Sequence, residues 1–329
     1  MFDKILVPLD GSRLAESVLP HVVSVAAAFG EPVTLLHVLD SSHRGDRPAD
    51  PLSWQLRRTE AHTYLDGVQS FLKEAGLLVE KVVEQGRAAQ RIVDYARGHQ
   101  IGLLVLSTHG AGGLAHWNVS GVVEKVIQDI PTSLLLVRAY QELPERAIRP
   151  GYRRIMLPLD GSTRAEVSLP AAELLARYWD AELLLTHIIP RPRLFRAAPL
   201  NSEDRALLGR VVSRHRQEAS HYFERLQARL PVQSDVRIVL GENLVAALQE
   251  IVEQDDIDLT LFTAHGHGCS RFQRYGSVVS CCILYGSVPL LILQDLPGEQ
   301  LELSASGQAM RDWEDEEIRR PTGTGPKPF

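Results

Sequence analysis

Apolar residues in the first 139 positions fall into short unbroken runs that alternate with stretches of helical spacing. Residues 4–7 form an apolar run that Pro8 and Gly11 end, and Ser12 is placed to cap the next helix. Leu14, Val18, Val22, Val25, Ala26 and Phe29 recur on one helical face, so residues 15–29 read as a helix stopped by Gly30. A second apolar run covers 33–39, and a polar loop with Gly45 and two prolines covers 40–51. Then come a long helix over 52–75, a strand over 78–84, a helix over 88–99 and a strand over 103–106. A helix over 121–128 and a strand over 133–137 close the series. Strands alternating with helices imply a parallel sheet with helices on both faces, and unbroken apolar strands fit a sheet covered on both sides.

The pattern then repeats. Residues 2–12 return as 152–162, an offset of 150 that holds at Pro20 and Pro170 and at His37 and His187; it has grown to 156 at His109 and His265. A domain-sized period is a tandem duplication rather than a solenoid. The second series of strands is expected at 154–157, 182–188, 236–240, 259–262 and 289–293. Its extra length falls in the loop 190–201 and in an arginine-rich helix over 202–230, which reads as a solvated face. The division expected is a first domain at 1–139, a linker at 140–151, a second domain at 152–296 and an acidic, Pro/Gly-containing tail at 297–329 whose composition predicts disorder.

Candidate chemistry sits after the fourth strand of each copy. Thr263-Ala264-His265-Gly266 is followed by nine residues and then Gly276-Ser277 at a helix start; Ser107-Thr108-His109-Gly110 is followed by nine and then Ser120-Gly121. The first N–H groups of a helix have no internal partner, so such a start suits an anion. In an open parallel sheet, ligands lie beyond the carboxyl ends of the strands where the strand order reverses. If the first and fourth strands are neighbours there, the loops beginning at Pro8 and Pro158 face these helix starts. Asp10 and Asp160 then meet a glycine-containing turn, where a carboxylate suits ribose hydroxyls or an adenine amino group; the competing reading is an Asp that only stabilises its own turn. His109 and His265 read as residues bonded to nearby backbone. No Walker loop and no G-x-G-x-x-G follows a strand, and no Ser/His/Asp or Cys/His set has supporting spacing, so no catalytic residue is assigned.

Three elements carry a resemblance: the opening Ile-Leu-Val-Pro-Leu-Asp-Gly-Ser, the His37-Val38 pair ending the second strand, and the Thr108-His109-Gly110 loop with its helix. Each half resembles a universal stress protein domain, over about residues 1–139 and 151–295. The resemblance implies two doubly wound α/β domains, each a five-stranded parallel sheet of order 3-2-1-4-5 flanked by helices. It implies a loop of the form G-x-x-G, nine residues, G-S/T, and the binding of ATP or a related adenine nucleotide, with Mg2+ as its companion. Val38 and Ile188 would then line the adenine pocket. Both copies depart from the loop pattern. Ser107 and Thr263 stand where the first glycine is expected, and the closing pair is reversed in the first half. A Cβ at Ser120 is unfavourable if the backbone there needs positive φ or close approach to phosphate, although Ser120 is also a good N-cap. The second site therefore ranks as the better binder, with Arg271 and Arg274 either meeting phosphate or facing solvent.

Composition narrows the partners. The chain has 329 residues, 44% hydrophobic and 23% charged, with a net charge of -6. That balance gives no support for a nucleic acid partner, and no apolar run approaches a membrane span. Three cysteines, Cys269, Cys281 and Cys282, make neither a complete disulfide set nor a metal site, and with no signal-peptide layout at the start they point to the reducing cytoplasm. The fifth strands, apolar sheet edges, are expected to be covered by packing the two halves as a pseudo-dimer; a homodimer of whole chains is left open. Taken with the resemblance, the expected role is a nucleotide-binding sensor or regulator of the stress response. A nucleotide-free interaction module is the alternative, and a weak ATP hydrolase is less favoured.

Overall fold

The computed structural model describes residues 2–40, 51–110, 119–139, 150–191, 201–266 and 274–294. The tail, most of the linker, Cys269 and Arg271 lie outside them. The first half contains strands β1 (Ile5–Pro8), β2 (Val33–Asp40), β3 (Val79–Gly86), β4 (Leu103–Ser107) and β5 (Ser133–Val137). Helices α1 (Arg13–Glu16), α2 (Leu19–Phe29), α3 (Pro51–Glu74), α4 (Ala88–Gly98) and α5 (Gly121–Asp129) connect them. The second half repeats this with β6 (Arg154–Pro158), β7 (Glu182–Pro190), β8 (Ser234–Gly241), β9 (Leu259–Thr263) and β10 (Leu290–Leu293). Its helices are α6 (Leu169–Trp179), α7 (Ser202–Gln227), α8 (Leu244–Gln254) and α9 (Ser277–Tyr285), with a 3-10 turn at Ala165–Ser168.

The expected helix over 15–29 is two helices. Pro20 lacks an N–H, and its ring would collide with the carbonyl of Glu16 if one helix ran through. The chain instead closes a short α1, capped by Ser12 Oγ accepting from Ala15 N at 3.1 Å, and restarts at Leu19 with Pro20 in the first turn. Pro170 occupies the same place at the start of α6.

All ten strands join one sheet in the order β3-β2-β1-β4-β5-β10-β9-β6-β7-β8. Each half thus has the order 3-2-1-4-5, with parallel pairing throughout. The junction is the antiparallel pair β5–β10, in which Leu136, Leu135 and Leu134 oppose Leu290, Leu291 and Ile292. Leu135 and Leu291 stand 156 positions apart, the same interval as His109 and His265, so each strand meets its own copy about a local two-fold axis. Leu135 and Leu291 are both 0% exposed.

Strand side chains alternate between two cores. One packs against α2, α3, α6 and α7, the other against α4, α5, α8 and α9. Both cores run across the junction. Near it, the Trp179 indole N–H donates to Ser24 O at 2.9 Å, and the Gly151 N–H donates to Ser24 Oγ at 2.7 Å. His21 Nδ1 lies 3.1 Å from the Tyr152 hydroxyl.

Two outcomes are expected. Leu135→Ala and Leu291→Ala should each lower the unfolding free energy by about 3 kcal/mol in urea titrations. The double variant should depart from additivity by at least about 0.5 kcal/mol, because the two sites share a contact. Burial pushes the His21 imidazole down from 6.5 to about 4. Between those values the unfolded chain binds a proton that the folded chain refuses. Stability is therefore full above about pH 6.5 and falls as pH drops towards 4, by up to about 3 kcal/mol. His21→Phe should flatten that part of the stability-versus-pH curve.

Candidate functional site

Strands β1 and β4 are parallel neighbours, as are β6 and β9, so each half brings the loop after its first strand beside the loop after its fourth. After β6 the chain turns sharply through Gly161, whose φ of 82° lies in the left-handed region; Gly11 does the same at 84°. The turn is held by the aspartate before it. Asp160 Oδ1 accepts from Ser162 N at 2.9 Å, and Asp10 Oδ1 accepts from Ser12 N at 3.0 Å and from Ser12 Oγ at 2.6 Å. One carboxylate oxygen thus does the turn-stabilising work, and the other faces across the cleft towards the fourth-strand loop. A Cβ placed on Gly266 would fall well inside contact distance of Asp160 Oδ2, and one on Gly110 inside that of Asp10 Oδ2. These glycines are needed for close approach of a carboxylate, not for backbone φ.

The residues standing in for the first loop glycine are turned into the loop itself. Thr263 Oγ1 donates to His265 O at 2.9 Å, and Ser107 Oγ has its one proton within reach of two carbonyls, His109 O at 2.8 Å and Leu14 O at 2.9 Å. The loop closes where Gly276 N donates to Ala264 O at 2.8 Å, matched by Ser120 N to Thr108 O at 3.0 Å. Gly276 has φ −62° and Ser120 φ −61°, both ordinary extended N-cap geometry. Reversing the closing pair therefore leaves the backbone at the helix start unchanged, and the concern about positive φ at Ser120 does not arise.

The two helix starts differ in what they offer an anion. Ser120 Oγ accepts from Val123 N at 3.4 Å, and Glu124 places a carboxylate in the first turn of α5. The first turn of α9 has neither a side-chain cap nor an acidic residue. Gly276, Ser277, Val278 and Val279 of this helix start line the cleft, and among the described residues no side chain caps its first N–H groups, which carry the positive end of the helix dipole.

Pro158, Asp160, Ile188, Thr263, His265, Gly266, Gly276 and Ser277 all line one cleft of about 500 Å3. Leu244, Leu248, Phe262 and Val279 give it an apolar recess. These four carry no sequence signal of a site. Leu244 and Leu248 are spaced like any core-facing pair on a helix, and Phe262 like any strand residue. In the first half, Pro8 ends β1, Val38 lies on β2 against the second core, and His109 Nδ1 is 3.1 Å from Thr108 Oγ1. Gly110 touches Asp10, and Ser120 and Gly121 begin α5. Residues 111–118 and 267–273 of the two loops lie outside the described residues. Arg274 is not among the residues lining the cleft and is partly exposed; its guanidinium donates to the Ile130 carbonyl of the first half.

Among the described residues no helix is long and apolar enough to cross a membrane. The chain is similar to two universal stress proteins of Methanocaldococcus jannaschii. One is 28% identical over 142 residues, covering 42% of this chain and 83% of the relative. The other is 25% identical over 155 residues, covering 42% of this chain and 96% of the relative. Each match thus has about the length of one half. A solved universal stress protein of Archaeoglobus fulgidus shares the fold over 89% of this chain and 98% of its own, with a TM-score of 0.62 and 16% identity. The universal stress protein family model matches twice, at residues 1–138 and 151–294, and the chain belongs to that family as a tandem member.

Proposed function

We propose that the cleft of the second half binds ATP or a related adenine nucleotide, and that the protein acts as a cytoplasmic sensor or regulator in the stress response. The observation that carries this reading is the pairing of the Asp160 carboxylate with the uncapped start of α9 across one cleft. A volume of about 500 Å3 lies in the ~300–1,000 Å3 range of small-molecule sites. Its parts match the parts of a nucleotide. The recess of Ile188, Leu248 and Phe262 suits the apolar faces of a base, and the Asp160 carboxylate accepts from ribose hydroxyls. The first-turn N–H groups of α9 suit phosphate oxygens. A Mg2+ ion would be held by the phosphates and would neutralise their charge. The first half offers the weaker site, because Ser120 and Glu124 already serve the start of α5. The two halves, paired through β5 and β10, act as an intramolecular pseudo-dimer.

Calorimetric titration with ATP tests this reading. A saturable heat is expected, and Asp160→Ala should weaken binding by roughly thirtyfold, the loss of about 2 kcal/mol of charged hydrogen bonding. Gly266→Ala should weaken binding as well, by displacing the same carboxylate. Asp10→Ala should have the smaller effect. A flat titration at high protein concentration would sink the proposal.

A further inference from the structure

The helices that open the two candidate anion sites are each held at the far end by the opposite half. The last four carbonyls of a helix have no partner within it, and a cation there also complements the negative end of the helix dipole. At the end of α9, the Arg138 guanidinium donates to Cys282 O and Ile283 O, both at 2.7 Å. Arg138 directly follows β5, in the first half. At the end of α5, Arg274 donates to the carbonyl of Ile130, the residue that caps that helix. Arg274 precedes α9, in the second half. Each helix also receives one bond from its own half: Arg97 Nη2 to Asp129 O at 2.9 Å, and Gln249 Nε2 to Tyr285 O at 2.7 Å.

The two cross-half arginines are not copies of one another. The position equivalent to Arg138 in the second half is Gln294, 156 residues on, whose N–H donates to Ser133 Oγ at 3.1 Å. The duplicated halves therefore reach the same result with different arginines. The space for Arg138 is also specific: a Cβ on Gly286 would come within 3.3 Å of its Nη2 and 2.7 Å of Cys282 O.

We propose that Arg138 and Arg274 are positioning residues for the candidate nucleotide site of the opposite half, each fixing the phosphate-facing helix from its carboxyl end through the β5–β10 junction. This rests on the nucleotide reading of the cleft. Its physical content is that a helix held at one end by a guanidinium presents its opposite N–H groups at a set depth and angle. Loss of the guanidinium takes the charged donor from Ile283 O, while Cys282 O keeps only its bond from Gly286 N at 2.8 Å, and the carboxyl end of the helix is held less firmly. The effect falls on phosphate, which meets the helix start, and not on the base or ribose, which meet β6, β7 and α8. Nothing in sequence spacing announces this, because the donor and acceptor lie 144 and 145 residues apart for Arg138 and 144 apart for Arg274.

The test uses the full chain carrying Asp10→Ala, so that the second site dominates, titrated calorimetrically with ATP and separately with adenosine, which has no phosphate. Arg138→Gln should weaken ATP binding about three- to tenfold while leaving adenosine affinity within about twofold of the parent. Arg138→Lys, which keeps the charge, should recover part of the loss. Hydrogen exchange should show faster exchange in α9 of the Arg138→Gln protein with β6 unchanged. Equal ATP affinity in parent and Arg138→Gln would overturn the inference while leaving the nucleotide reading in place. So would an equal loss of ATP and adenosine binding, which marks general damage to the fold. A parent chain that binds neither ligand removes the nucleotide reading, and the inference falls with it.

Discussion

The structure depends on how two sheet edges are disposed of. A five-stranded parallel sheet ends in an apolar strand whose backbone groups need partners, and here both such strands come from one chain. Pairing β5 with β10 in antiparallel register satisfies both edges and sets Leu135 against Leu291 with no solvent between them. The same pairing makes the two cores continuous. It also brings the ends of α5 and α9 within reach of arginines from the other half. The junction is therefore more than a seam: it sets where the candidate sites' helices lie.

The site rests on a second, smaller constraint. A carboxylate has two oxygens, and Asp160 uses them differently. Oδ1 holds the turn that Gly161 makes, and Oδ2 lies against Gly266 on the facing loop. Turn stabilisation and the proposed contact with a ligand are thus compatible in one carboxylate. The contact also explains a glycine that backbone conformation does not. Gly266 leaves room for a carboxylate, and the loop tolerates Thr263 three residues before it because that hydroxyl bonds its own turn.

Much of this is legible in the chain. The apolar runs place the strands to within a few residues, since strands buried on both faces leave an unbroken signature. The duplication is plain from residues 2–12 and 152–162, whereas the strand order comes from resemblance and not from periodicity. Apolar spacing and motif pattern miss several features. Pro20 divides a stretch whose apolar spacing reads as one helix. Ser120 reads as a defect on sequence pattern, yet its backbone matches that of Gly276. Leu244 and Leu248 line a cleft that no spacing marks, and the bond of Arg274 to Ile130 crosses between halves. For the cleft leucines and Arg274 the residue type is visible in the sequence and its partner is not.

The central claim is that Asp160 and the start of α9 are the two walls of one nucleotide site. A crystal structure of the protein grown with a non-hydrolysable ATP analogue tests it most directly. The claim predicts phosphate oxygens on the first-turn N–H groups of α9, a ribose hydroxyl on the Asp160 carboxylate and the base beside Ile188. A saturating concentration of the analogue that leaves the cleft without nucleotide, or that places it elsewhere on the molecule, would contradict the claim.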